Sequence, residues 1–116
     1  MKPVRELHRT AAFAVVLALA LALPGPAIAA AAKPATHTVV IDGVRFEPAA
    51  LTVKAGDTIV WINKDPFPHT ATAQAGGFDS KIIAANQSWR YTARKAGVFP
   101  YTCTLHPNMS GTLTVE

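Results

Sequence analysis

Beyond residue 36 the chain runs in short apolar-rich segments, each closed by turn residues. His37 to Asp42 (HTVVID) is rich in β-branched residues and ends at Gly43. Val44-Arg45-Phe46 and Leu51-Thr52-Val53 flank a turn at Glu47-Pro48, and Ala55-Gly56-Asp57 makes the next one. Thr58 to Asn63 (TIVWIN) sets Ile59, Trp61 and Asn63 on one face and Val60 and Ile62 on the other. Apolar residues on both faces predict a strand well inside the fold. Ser88 to Ala93, Val98 to Thr102 and Gly111 to Val115 complete the set. No segment carries a helix-period apolar stripe, and Asp79 to Asn86 alone admits a short helical turn. Seven to eight short strands, with turn signals about every 8 to 12 residues, predict an all-β sandwich of Greek-key type. Pro100 is the local exception, because proline cannot donate to a sheet ladder.

The first 29 residues follow a different rule. Lys2, Arg5 and Arg9 precede an unbroken apolar run from Ala11 to Leu23, then Pro24-Gly25-Pro26 and the small residues Ala27-Ile28-Ala29-Ala30. A basic start, a short apolar middle and an Ala-x-Ala site are the pattern of a cleavable secretory signal. Thirteen residues make only about 20 Å of helix, short of a bilayer core of roughly 30 Å. The expected division is a signal over residues 1–29, cleaved after Ala29 (Ala31 and Ala32 are alternatives), a loose arm over 30–36 and one domain over 37–116. No membrane anchor is expected to remain after cleavage.

Removing that segment takes away three of 11 basic and one of 7 acidic residues, so a net charge of +4 becomes +2. A charge of that size spread along the chain is not the clustered Lys and Arg footprint of a nucleic-acid binder. The remaining 87 of 116 residues suffice for one small domain with one core. Cys103 is the only cysteine. It cannot form an internal disulfide, and an exported thiol is protected either by burial or by a metal.

Its neighbours favour the metal. Cys103, His106 and Met109 follow one another at intervals of three, on a loop between two predicted strands. His69 lies in a Pro-Phe-Pro-His-Thr loop after the TIVWIN strand. Two imidazoles, a thiolate and a weak axial thioether form the donor set of a blue-copper electron-transfer site. Each residue alone has a plainer reading, as a buried thiol, a hydrogen-bonded histidine or a flexible gap-filler; the combination points to copper. His8 falls in the signal, and His37 in the first strand reads as structural. Phe99, Tyr101 and Cys103 share parity and face the core, as do Leu113 and Val115 on the last strand.

These residues resemble a known family, the cupredoxins, and within it the amicyanin and plastocyanin group. The similarity runs through Phe46-Glu47-Pro48, the stretch Val53 to Asn63, the Pro68-His69 pair, and Ala96-Gly97 through Met109. The short spacing from His106 to Met109 is similar to amicyanin. The resemblance implies an eight-stranded, two-sheet Greek-key sandwich with one copper ion, Cu(II)/Cu(I), at one end. It further implies His69, Cys103 and His106 as equatorial ligands and Met109 as the axial one. Two departures stand out. Thr70 occupies a position where many relatives carry an Asn that braces the cysteine loop, and Pro107 after His106 supplies no amide donor.

The expected function is single-electron transfer between larger redox proteins by a soluble, exported, periplasmic monomer. Pro66, Phe67, Pro68, Pro107 and Leu105 are expected to ring His106 as an apolar docking patch. A copper-trafficking or buffering role without redox shuttling is the alternative. Catalysis at a second metal centre would need further histidines, of which only His37 is spare, so no enzyme activity is expected.

Overall fold

The computed structural model describes residues 1–4, 12–25 and 33–116. Residues 1–30 and 31–116 form separate units. The described residues of the first contain neither helix nor strand, and no described helix is long and apolar enough to cross a membrane. The expected cleavage site after Ala29, the start of the arm at residues 30–32, and His8 lie outside the described residues.

The second unit is built from eight strands: β1 (Thr36–Ile41), β2 (Phe46–Glu47), β3 (Ala50–Val53), β4 (Thr58–Asn63), β5 (Thr72–Ala73), β6 (Ser88–Thr92), β7 (Gly97–Cys103) and β8 (His106–Val115). They form two four-stranded mixed sheets, ordered β2-β1-β4-β6 and β3-β8-β7-β5. The chain crosses repeatedly between the sheets, as a Greek-key sandwich requires. β1 lies parallel to β4 and β3 parallel to β8, whereas β7 and β8 are antiparallel. The all-β expectation holds, with local differences in the bounds. Val44 belongs to a turn rather than a strand. Residues 79–86 form no helix, because Ile83 exchanges both backbone hydrogen bonds with His69, at 3.1 and 2.7 Å.

Alternation along the strands makes the core. Ile59, Trp61 and Asn63 of β4 are fully buried, and Ile59 and Trp61 join Tyr101, Cys103, Leu113 and Val115 of the other sheet in one continuous apolar cluster. Trp61 meets Tyr101 edge-on across the sheets, with ring centroids 5.7 Å apart. Burial pushes the Tyr101 phenol up to about 12, which keeps it neutral in the core. Pro100 is accommodated at the edge of pairing. Its carbonyl accepts the Gln74 N–H at 2.9 Å, just past the two-residue strand β5, so its missing amide proton falls on that short edge and not on the β8 ladder.

Gly111 lets the Tyr101 ring lie across β8, since an added Cβ would stand 2.5 Å from Tyr101 Cζ. Gly111→Ala is therefore expected to lower stability by about 1–3 kcal/mol in denaturant titrations, through overpacking against a ring that has no room to move.

The end of the sandwich where β1 and β4 begin is closed by Asp57. Its carboxylate accepts the Ala35 N–H at 2.9 Å, the Lys54 N–H at 3.0 Å and the His37 Nε2–H at 2.9 Å. The Ala35 amide, then the His37 ring and the Lys54 amide, lower its pKa from 3.8 to about 2. A carboxyl depressed in the folded state contributes stability that is fully present above the unfolded pKa and is lost as pH falls through the folded one. Melting temperature is thus expected to fall between about pH 4 and pH 2. Asp57→Asn should start lower at neutral pH and lose less across that window, as followed by circular dichroism.

Candidate metal centre

The opposite end gathers the chemistry. β4 ends at Asn63, and the loop that follows contains Pro66 and Pro68, which have no N–H to offer a neighbour. The fully buried Asn63 side chain ties this loop down instead. Its Nδ2 donates to the carbonyls of Phe67 (2.9 Å) and Ile83 (3.0 Å), and its Oδ1 accepts the Asp65 N–H at 3.0 Å. The loop then delivers His69, itself fully buried, to the interior.

Asp65 fixes which nitrogen of His69 is free. Its carboxylate oxygen lies 2.8 Å from His69 Nε2, and a carboxylate only accepts, so Nε2 carries the proton and Nδ1 presents a lone pair. The same carboxylate accepts the Gly43 N–H at 2.7 Å and the Val44 N–H at 2.9 Å. Burial works to raise the Asp65 pKa, but the Val44 and Gly43 amides and the His69 ring outweigh it and hold the carboxyl below its usual range. Gly43 and Val44 have φ of 60° and 57°, a pair of positive values that a tight type I′ hairpin turn needs and a β-branched residue resists. The Asp65 carboxylate therefore holds both a strained turn and the orientation of an imidazole.

From the other side come Cys103 and His106. β7 and β8 meet in a hairpin in which Cys103 opposes His106 across Thr104-Leu105. The register then jumps, Thr102 pairing with Ser110, so that Pro107, Asn108 and Met109 bulge out of the ladder. Met109 is 2% exposed and lines a depression with Val44, Leu105, His106 and Pro107.

Cys103 Sγ stands 3.6 Å from Nδ1 of His69 and 3.6 Å from Nδ1 of His106. The three atoms lie within 4.8 Å of one another. Bonds of about 2.0 Å to nitrogen and 2.3 Å to sulfur, opened to a trigonal angle, place sulfur and nitrogen about 3.7 Å apart. The donors present therefore fit a single small ion. The thiolate side is supported too, since the Thr70 N–H donates to Sγ at 3.3 Å. The Thr70 hydroxyl accepts the Thr104 N–H at 2.9 Å, so threonine itself braces the cysteine loop at the position noted above as a departure from the family pattern.

The expected four residues are thus divided. His69, Cys103 and His106 converge, and Met109 is buried on the adjoining bulge. His37 sits at the far end on Asp57, as a structural histidine should. Sequence reasoning missed Asp65, whose only signal was its position four residues before His69, and Val44, which sits beside the apolar surround. Phe67, Leu105 and Val44 are exposed, and the Phe67 ring centroid lies 5.8 Å from that of His106.

A trigonal pair of imidazoles and a thiolate, poised beside a thioether at one end of a two-sheet sandwich, is the arrangement of a type 1 copper protein. The chain belongs to the cupredoxin-like domain family, whose profile matches residues 11–115. It is 35% identical to amicyanin of Paracoccus denitrificans over 94 residues, covering 75% of this chain and 72% of that one. It is 33% identical to plastocyanin of Scenedesmus fuscus over 84 residues, covering 61% and 86%. Among solved structures it is similar to the Cu(I) form of an amicyanin mutant, with a TM-score of 0.66 at 32% identity, over 70% of this chain and 82% of that one.

Asp65→Ala would leave two backbone amides and an imidazole N–H without their acceptor. We expect a loss of about 2 kcal/mol in the metal-free protein by chemical denaturation. Metal affinity should fall roughly 10- to 100-fold by competition with a chelator, because the His69 ring is no longer held.

Proposed function

We propose that this protein is an exported, soluble single-electron carrier, with one copper ion that would be held by His69, Cys103, His106 and Met109. The observation that carries this reading is the convergence of Nδ1 of His69 and Nδ1 of His106 on one buried sulfur, each 3.6 Å away. Bound copper supplies a Cu(II)/Cu(I) couple. Buried soft and borderline donors in a trigonal array suit both oxidation states, so the protein need rearrange little as the charge changes.

The residues divide the work. Asp65 and Asn63 hold the His69 loop, and the Thr70 N–H orients and stabilises the Cys103 thiolate. His106 is only partly buried, and its ring reaches the surface among Phe67, Leu105 and Pro107. That apolar face is the proposed docking surface for redox partner proteins, which would bring an electron donor or acceptor within a short path of the site. His69 and Cys103 are both fully buried, which favours retention of the metal over hand-off to an acceptor. The basic, apolar and small-residue order of residues 1–29 supports export to the periplasm with removal of that segment. The protein acts as a carrier and not as an enzyme.

Adding Cu(II) to the protein tests the reading directly. An intense visible thiolate-to-copper band and narrow EPR hyperfine splitting are expected, and both should disappear in Cys103→Ser. Met109→Leu should keep the colour and raise the reduction potential. A colourless complex with ordinary tetragonal EPR would sink the assignment.

A further inference from the structure

Thr70 is gripped from three directions. Its Oγ1 accepts the Thr104 N–H at 2.9 Å and lies 3.1 Å from Thr104 Oγ1 and 3.0 Å from Thr72 Oγ1. Thr72 Oγ1 in turn lies 3.1 Å from Oδ1 of Asp79. The hairpin from Ala71 to Ser80 brings Asp79 opposite Thr72, with Ala73 N–H donating to Phe78 O at 2.9 Å and Ser80 N–H to Ala71 O at 3.0 Å.

Proton counting gives this chain one direction. A carboxylate has no proton, so Thr72 must donate its single hydroxyl proton to Asp79. Thr72 can then only accept from Thr70, which spends the Thr70 proton. The two lone pairs of Thr70 are left to accept from the Thr104 hydroxyl and the Thr104 amide. All three hydroxyl protons therefore point from the ligand hairpin toward the surface carboxylate. Lys81 supports Asp79 through its N–H at 2.9 Å and its Nζ at 3.1 Å.

We propose that Asp79 is a positioning residue for the metal centre, acting through the Thr72–Thr70–Thr104 hydroxyl chain. By fixing the direction of that chain it keeps the hydroxyl protons pointing away from the ligand hairpin and anchors the Thr70 oxygen that accepts the N–H of the peptide following Cys103. The Thr70 amide meanwhile donates to the Cys103 sulfur, so one residue holds both sides of the ligand. Without the carboxylate, two opposite proton orders become available. The Thr70 oxygen accepts the Thr104 N–H in either order, but without its anchor at Thr72 it is positioned less firmly, and hydroxyl dipoles near the thiolate can reverse. Reversal turns their positive ends toward the site and stabilises the reduced metal. This inference rests on the copper reading of the site, but the brace itself is present in the protein chain alone.

The test uses Asp79→Ala, Asp79→Asn, Thr70→Val and Thr70→Ser. Backbone amide exchange at Thr104 is measured by NMR in the metal-free and Cu(I)-loaded protein, beside the remote amides of Ile59 and Leu113. Exchange at Thr104 should quicken roughly five- to tenfold in Thr70→Val, the loss of about one net hydrogen bond, quicken by a smaller factor in Asp79→Ala, and stay near wild type in Thr70→Ser. Asp79→Asn, which can both donate and accept, should fall between. The reduction potential should rise in Asp79→Ala and stay raised in about 1 M salt, where the field of an exposed charge is screened within about 3 Å. Unchanged exchange at Thr104, equal acceleration at Ile59 and Leu113, or a potential shift that vanishes at high salt would each overturn the proposal. A wild-type protein that fails to turn blue would refute the copper reading, while amide exchange in the metal-free protein would still decide the brace.

Discussion

Two chain segments 34 residues apart must present an imidazole nitrogen and a sulfur to the same point, inside the protein and out of water. Everything near that point serves this constraint. Buried polar atoms are costly unless they are hydrogen-bonded, and those around the donors carry partners of their own. Asn63 ties the proline-containing loop by two bonds and Ile83 by a third, Asp65 accepts three donors, and Thr70 bonds to Cys103, Thr104 and Thr72. The donor atoms are left with little freedom except to face one another. That is the condition a metal site needs if its geometry is to be set by the protein and not by the ion.

The sandwich supplies the frame in which these bonds can form. Parallel pairing of β1 with β4 brings the Gly43–Val44 turn beside the start of the His69 loop, so one carboxylate can reach both. Antiparallel pairing of β5 with β7 places Thr72 opposite Thr102, next to the cysteine hairpin. The far end is fastened separately by Asp57. Each end of the sandwich is therefore closed by a buried aspartate that gathers backbone amides and a histidine. At one end the histidine completes a structural clasp. At the other its second nitrogen is left free for chemistry.

Much of this was legible in the sequence because the information is local. The period-2 alternation of Thr58 to Asn63 specifies a two-faced buried strand, and Cys103, His106 and Met109 lie so close together that one loop must carry them. His69 followed from its place after that strand. The parts that were hidden depend on partners distant in sequence. Val44 is β-branched and reads as strand, yet two amide bonds to Asp65 hold it and Gly43 in a turn that its own propensity opposes. Residues 79–86 read as a possible helical turn, yet Ile83 is committed to His69. The strand β8 begins at His106 and not at Gly111, because a bulge at Pro107 to Met109 breaks the pattern by which a strand is recognised.

The two imidazoles are held in different ways, and the difference organises the site. His69 is fully buried and its Nε2 is locked on a carboxylate that itself grips a strained turn. His106 is partly exposed, positioned by its hairpin and by the Phe67 ring. One ligand is thus rooted in the scaffold while the other forms the boundary with solvent. Val44 belongs to both sides of this division. Its amide is bound to the carboxylate that orients His69, and its side chain lines the same depression as His106 and Met109. The apolar face and the buried ligand consequently share one support, so a change in the turn at Gly43–Val44 bears on the surface and on the donor geometry together.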